Sequence, residues 1–499
     1  MRKEWTMHDD LLEMSAGEIA AAIAARQLSA RDMMQAILAQ IDTYNPTLNA
    51  ICTLNPQALA DAEAIDRRLA AGETARPLEG VPFVVKDNIF TKGLRTTFGS
   101  KLLEHHVPEE DSICVERLRA AGGVLVGKTN TPEFAHDVNT SNAVFGTTRN
   151  PWQVNCTAGG SSGGTGSALA ARMAPVGLGT DLGGSIRIPS AFNGLAGIRP
   201  VPGRVAFYPT EFGWDTLVAH VQGPMARSVA DVGLMLSILA GPDDRDPMSL
   251  PAQGLDFARA AREVNMLTGK RVAFSIDLNG LVPVEPEVAA LTRQAAQQFE
   301  EFGCEVREDF FDTSTLGEII HGTRGFGMIG RYADRYDHHK DQMTPPLLNQ
   351  IEAALSLDVR AVTRSERLRT EYWQQVRRFL EPYDYILTPA VGAPAFRLDR
   401  PLPTDVGGRK VERYYDIFLT AYAFSVTGLP AMAVPCGFTQ AGLPVGLQIV
   451  GPRLREDLVL QAAAAYAAAC PQHFRRPQID LTMATPLGDA FASPGFVVR

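Results

Sequence analysis

The chain has 499 residues, of which 45% are hydrophobic and 21% charged, the composition of an ordinary globular protein. Its formal charge of −9, with no basic stripe to offset it, excludes a nucleic-acid surface. No uninterrupted apolar run reaches membrane-spanning length, and the opening MRKEWTMHDDLLEM lacks the apolar stretch of a secretory signal, so a cytoplasmic protein without membrane association is expected.

Two helices open the chain. Ser15-Ala16-Gly17-Glu18 and Ser29-Ala30-Arg31-Asp32 each place a capping hydroxyl three residues before an acid. In the second, Met34, Ile37, Leu38 and Ile41 share one apolar face, and Asn45-Pro46 is expected to end the helix. A more polar helix is predicted over 56–71. Residues 1–75 therefore read as a helical segment packed on the outside of the core or at a subunit contact, which leaves a homodimer open.

From Gly80 the texture changes to short apolar runs separated by helical ones. Strands are predicted at 82–85, 124–126, 175–178, 271–276, 385–387, 431–435 and 446–450, and helices at 113–121, 228–239, 288–302 and 458–469. Such alternation indicates an α/β fold with helices on both faces of a sheet, where reactive groups gather beyond strand ends. Residues 309–381 differ, being helical and rich in charge, and read as an insertion or cap over the site that sets specificity. Residues 396–412 are Pro/Gly-rich and polar, hence a loop.

The stretch that organises the rest is GGSSGGTGSALAARMAPVGLGTDLGGSIR, from Gly159 to Arg187. It sets two serine clusters among glycines, which let the backbone turn tightly and present N–H groups unobstructed by Cβ atoms. A hydroxyl beside free N–H groups suits acyl transfer, since the N–H groups hold the oxyanion that forms when the hydroxyl attacks a carbonyl. A flexible linker would not carry Leu169, Met173, Val176 and Leu178 at core-like spacing.

GGSSGG followed by GLGTDLGGSIRIPSAFNGLAGIRP resembles the signature region of the amidase signature family, the Ser-cisSer-Lys amide hydrolases. The resemblance runs on to Gly442-Leu443-Pro444-Val445-Gly446-Leu447-Gln448 and implies a single large domain over 1–499 with a central mixed β-sheet. In that family a lysine follows an apolar strand about seventy-five residues before the first serine, as in Val81-Pro82-Phe83-Val84-Val85-Lys86-Asp87. The family's two serines lie twenty-four positions apart, a spacing that selects Ser161 and Ser185. The resemblance implies Ser185 as nucleophile, Ser161 as proton bridge after a cis peptide at Gly160–Ser161, and Lys86 as base. It places the N–H groups of Leu182, Gly183, Gly184 and Ser185 at the oxyanion hole. Ser162, Thr180, Asp181 and Arg187 are the supporting residues, with Thr180 and Asp181 holding the loop and Arg187 its far side. No cofactor or metal is implied.

The chemistry requires a neutral lysine. A serine hydroxyl needs a base, and a lysine serves only if its pKa falls from about 10.4, as burial makes it do. Lys86 lies between Val84-Val85 and Asn88-Ile89-Phe90, an apolar neighbourhood; Asp87 would oppose the shift and is expected to point elsewhere.

Other patterns carry less. Gly122 to Thr129 matches the phosphate-loop spacing, but its Val124-Leu125-Val126 is strand-like, so Lys128 and Asn130 are read as structural. Gly159 to Gly163 matches the nucleophile elbow of α/β-hydrolases, yet none of the later histidines, His220, His321, His338, His339 and His473, has a persuasive context for a triad. The His105-His106 and His338-His339 pairs read as solvated surface rather than metal ligands. The scattered Cys52, Cys114, Cys156, Cys304, Cys436 and Cys470 suit reduced thiols.

The expected reaction is hydrolysis of a small-molecule amide to acid and amine; esters and carbamates are alternatives by the same acyl-enzyme. The family also includes the glutaminase component of tRNA-dependent amidotransferases, which tends to carry Met-Asp-Glu-Phe-Ala-Met-Gly after Lys-Thr-Asn. Here Thr131-Pro132-Glu133-Phe134-Ala135-His136-Asp137 stands instead, favouring a free-standing amidase. The pocket is expected among Phe134–Asn139 and parts of 310–345 and 412–424, including Tyr414, Tyr415 and Phe418, whose rings favour an aryl or other apolar acyl group.

Overall fold

The computed structural model describes residues 8–214, 220–251, 253–264, 267–400, 402–413 and 415–487. Eleven strands form one sheet. In spatial order they are Ile51–Leu54, Val124–Thr129, Pro82–Lys86, Val176–Asp181, Val221–Ala226, Ala196–Arg199, Ala431–Phe438, Pro444–Val450, Tyr385–Pro389, Arg271–Phe274 and Glu305–Glu308. The Pro82–Lys86 strand runs parallel to both neighbours, whereas Val176–Asp181 pairs antiparallel with Val221–Ala226, so the sheet is mixed. Central strands such as Pro82–Lys86 are buried along their whole length. Their apolar runs are continuous rather than alternating because helices cover both faces.

All seven predicted strands and all four predicted helices of this region are present. Four further strands carry no clear signal in the sequence. Val221–Ala226 contains Gly223 and Pro224, which depress strand propensity, and Ala196–Arg199 ends on an arginine that is fully buried. Ile51–Leu54 and Glu305–Glu308 are edge strands of four residues, the first too short to stand out and the second with Val306 as its one apolar residue.

Ser15 forms the anticipated capping box with Glu18, and the Ser29 hydroxyl accepts from Asp32 N. Asn45-Pro46 does not end its helix. The Ala30–Leu48 helix continues to a left-handed Asn49 (φ 49°). Pro46 sits in the last turn, where a single backbone donor is lost, and Asn45 Oδ1 accepts from Ala50 N (2.9 Å) and Ile51 N (2.8 Å), tying that turn to the next strand.

The cap region consists of helices Leu316–His339, Pro345–Leu355 and Val359–Phe379. Its first and third helices bury Leu316, Ile319 and Tyr372 against Phe310, Phe311 and Phe424. Met328, Tyr332 and Ile351 gather around Phe134 instead. Two apolar clusters thus seat the cap beside the strand ends that carry the serine loops. Residues 396–412 are a loop apart from the small Asp405–Val406/Arg409–Lys410 hairpin.

Candidate active site

Strand register brings the site together. Lys86 ends its strand, and the parallel neighbour Val176–Asp181 ends on Thr180 and Asp181, with Val85 paired to Leu178. Both ends therefore face the same side of the molecule. Ser161 and Ser162 lead into the Gly163–Ala170 helix, and Ser185 precedes the Arg187–Asn193 helix. The Gly160–Ser161 peptide is cis.

Lys86 Nζ donates to Ser161 Oγ at 2.6 Å and to Thr180 Oγ1 at 2.9 Å; Asn88 Nδ2 donates to the same Thr180 oxygen at 3.1 Å. The amine is completely buried, and burial holds its pKa well below the ordinary lysine value, opposed by the charge of Asp181. Asp87 points away, as expected, accepting from Thr97 N (3.0 Å) and Thr97 Oγ1 (2.6 Å). Ser161 is 1% exposed, whereas Ser185 is half-buried and lines the cavity. Ser161 lines the same cavity, so Ser185 is the more open of the two to an incoming molecule.

The loop from Asp181 to Arg187 is held from below. Asp181 accepts from Gly184 N (2.8 Å) and Ile186 N (3.2 Å), and pairs through both oxygens with Arg187 at 2.9 and 3.0 Å. Arg187 continues to Ala421 O, Gln448 Oε1 and Ser425 Oγ, all at 2.6–2.8 Å. Although burial opposes ionisation, Arg187, Arg199 and the Gly184 N–H keep the Asp181 carboxyl down to about 2. Gly184 has φ 118°, a conformation that side-chain-bearing residues rarely adopt.

One expectation needs correction here. The Gly184 N–H serves Asp181 and is not free to meet an oxyanion. The N–H groups of Leu182, Gly183 and Ser185 donate to no other group among the described residues. Thr180 also does more than hold the loop, since its hydroxyl contacts the amine itself. Ser162 ties the two serine loops together: its N–H donates to Ser185 O (3.2 Å), and its hydroxyl exchanges hydrogen bonds with the Thr180 backbone at 3.3 Å.

Above the serines lies a cleft of about 680 Å³ counting its open mouth. Phe134, Tyr332, Tyr415, Phe418 and Tyr422 give it an aromatic wall. His136 links core to cap. Arg324 Nη2, which can only donate, lies 3.1 Å from His136 Nδ1, so the proton is on Nε2, which donates to Tyr332 Oη at 3.1 Å. Burial, then Arg324 and Arg331, keeps this imidazole well below its usual pKa and therefore neutral. His220 is likewise pushed down to about 3, chiefly by burial. The carboxyl of Asp137 is raised to about 6 by burial, against the N–H groups of Asn139 and Val138.

A buried amine, two hydroxyls and several N–H groups thus meet at one cleft. The Amidase family model matches residues 32–460. The chain belongs to the amidase signature family. An acylamidase of Rhodococcus erythropolis is 35% identical over 94% of this chain and 98% of its own. One component of a glutamyl-tRNA(Gln) amidotransferase from a Cyanothece species is 34% identical over 93% of this chain and 99% of its own. The crystal structure of a bacterial aryl acylamidase of the same family superposes with TM-score 0.86 at 28% identity, covering 95% of this chain and 99% of that one. The protein is thus an amide hydrolase acting on C–N bonds.

The amidase site absorbs most of the sequence-predicted residues. Lys86, Ser161, Thr180, Leu182, Gly183 and Ser185 converge on the cleft, with Ser162, Asp181, Gly184 and Arg187 directly beneath. Phe134–Val138, Tyr415 and Phe418 line it as expected; Tyr414 lies outside the described residues. Lys128, in the phosphate-loop-like segment, lies on a strand and binds Ile89 O and Thr91 Oγ1. His220, which has no telling local context, does line the cleft; Arg324, Arg331, Tyr332 and Tyr422 line it from within the stretches 310–345 and 412–424 where the pocket is expected, though none of the four is singled out by the sequence. No local pattern marks His220, because it meets the other lining residues only in the folded chain.

Proposed function

We propose that this amidase cleaves carboxylic amides through a seryl acyl-enzyme, with Ser185 as nucleophile, Ser161 as proton bridge and Lys86 as base. The neutral amine of Lys86 accepts the Ser161 proton while Ser161 takes that of Ser185. The Ser185 oxygen attacks the carbonyl, and the N–H groups of Leu182, Gly183 and Ser185 stabilise the oxyanion. Collapse expels the amine with the proton returned through Ser161. Water, activated by the same relay, then releases the acid and frees Ser185.

The reading rests on one observation: an amine buried beside one hydroxyl at 2.6 Å, with a second hydroxyl half-exposed in the same cleft. The aromatic wall supports an aryl or other apolar acyl group, in keeping with the acylamidase and aryl acylamidase among its relatives. Incubating the purified chain with an anilide and trapping the ester on Ser185 by mass spectrometry is the direct test. No covalent adduct during turnover would sink the mechanism.

A second reading, as the glutaminase component of an amidotransferase, is supported by the 34% identity to the Cyanothece protein. Against it stands His136, at the departure from the amidotransferase motif, which here docks the cap. Turnover of simple amides by the isolated chain supports the free-standing enzyme; turnover only on adding partner proteins supports the other.

A further inference from the structure

Asp137 lines the cleft together with Ser161 and Ser185 and is half-buried there. An unusual turn leads into it: Phe134 (φ 46°) and Ala135 (φ 64°) are both left-handed, a conformation that residues with side chains adopt only at a cost. The Asp137 backbone lies directly against the serine loop, since a Cβ on Gly160 would come within 2.6 Å of Asp137 O. One carboxylate oxygen, Oδ1, accepts from Val138 N (2.6 Å) and Asn139 N (3.3 Å). That closes a local turn, which the neutral oxygen of an asparagine would close equally well, so the turn does not require the charge. The other oxygen, Oδ2, has no hydrogen-bond partner among the described residues and is accessible, so it faces the cleft. Among the described residues neither oxygen is in an ion pair. Burial raises the Asp137 carboxyl to about 6, which leaves it charged at neutral pH; Arg324 opposes the rise, but less than the two N–H groups do. A carboxylate without a paired cation in a cleft lowers stability, and such groups cluster where a ligand supplies the missing partner.

We propose that Asp137 is a specificity-determining residue that receives a protonated amine carried on the leaving-amine half of the substrate. The proposal rests on the amidase reading and deepens it by naming the substrate class: amides of diamines, or of other amines bearing a second, cationic nitrogen. The relay assigns the half. Ser161 returns its proton to the departing nitrogen, and Asp137 stands against Gly160–Ser161, so the group attached to that nitrogen lies beside the carboxylate. The aromatic wall is left for the acyl group. An ammonium gives Oδ2 a hydrogen bond and a counter-charge at once, a stronger contact than any neutral donor makes.

The test uses the full chain and matched benzamides. Mono-benzoylated α,ω-diamines with two to six methylenes are compared with N-alkylbenzamides and with N-benzoyl ω-amino acids of the same length. At the best length, kcat/KM for the ammonium exceeds that for the alkyl control at least about tenfold, and the carboxylate is the poorest of the three. Asp137→Asn keeps the acceptor for Val138 N and Asn139 N and removes the charge; it brings the ammonium-to-alkyl ratio close to unity. Asp137→Ser, which also leaves an oxygen for the turn, gives the same result and stands in if the asparagine variant does not fold. Equal hydrolysis of ammonium and alkyl members by the wild type overturns the proposal and leaves the amidase reading standing. So does a preference that survives both substitutions, or one found only when the ammonium is moved to the acyl half in ω-aminoalkanoyl anilides. No hydrolysis of any member overturns both readings.

Discussion

Lys86 and Lys128 stand near the ends of adjacent parallel strands, one residue out of step, since Val85 pairs with Lys128 and Lys86 with Thr129. Their side chains therefore leave opposite faces of the sheet. Both are fully buried. Burial lowers the pKa of both amines, but their counter-charges differ. Lys128 faces Asp87, and is lowered by burial only to about 8. Lys86 is surrounded by hydroxyls, and its nearest carboxylate, Asp181, is already held by Arg187 and Arg199. The neighbouring carboxylate is committed elsewhere at Lys86 and available at Lys128, which suits the first to the base proposed above and the second to a structural cation.

The strongest way to break this comparison is through the groups at the end of the relay. Ser185→Ala should lower kcat by at least about 10⁴-fold, read on an anilide. Lys86→Met should lower it about 10³-fold with little change in thermal midpoint, because the methionine fills an already desolvated site. Lys128→Met should do the reverse: it leaves Asp87 without its counter-charge and costs about 3 kcal/mol of stability, measured by denaturant melts, while the folded fraction keeps its activity. Similar effects from the two methionines would erase the distinction.

Smaller changes sharpen it. A Cβ at Gly183 would come within 2.2 Å of the Tyr422 ring, so Gly183→Ala must displace ring or loop. An approximately 10²-fold loss in kcat is expected, checked against an unchanged melting temperature. In the wild type, kcat/KM should fall about tenfold per pH unit below the Lys86 pKa. That acid limb should lie well below the ordinary lysine range, because the folded state favours the neutral amine; an enzyme active only near pH 10 would contradict the assignment. The same sign holds for Lys128. Its folded pKa of about 8 lies below the ordinary lysine value of 10.5, so folding releases a proton in that window and its contribution to stability grows as pH rises through it. The stability deficit of Lys128→Met should accordingly widen between pH 8 and 10.5. Least damaging is Thr180→Val, which removes one of the two hydroxyls on the amine; a loss of about tenfold or less is expected.

The serine loops are readable because their requirements are local. Glycine density, the spacing of Ser161 and Ser185, and the apolar run before Lys86 all lie within short stretches. Even there the sequence misleads at Gly184, since nothing local says that its N–H turns to Asp181. The strands carrying Arg199 and Pro224 escape a sequence reading for a related reason. Arg199 is held by Asp181 and by the carbonyls of Ser425 and Leu429, and Pro224 lies opposite Leu178, so their partners come from elsewhere in the chain.

By itself the sequence indicated the alternating α/β order and the glycine-rich serine loops, which follow from propensity within a few turns of chain; the proposed amine and hydroxyls came from the family resemblance of those loops and of the strand before Lys86. Tertiary structure alone decided that the Gly184 N–H turns to Asp181 and that His220 looks into the cleft. Those outcomes depend on strand register and on where the cap helices land, and contacts between residues nearly two hundred positions apart, such as His136 with Arg324, leave no periodicity for a sequence to display.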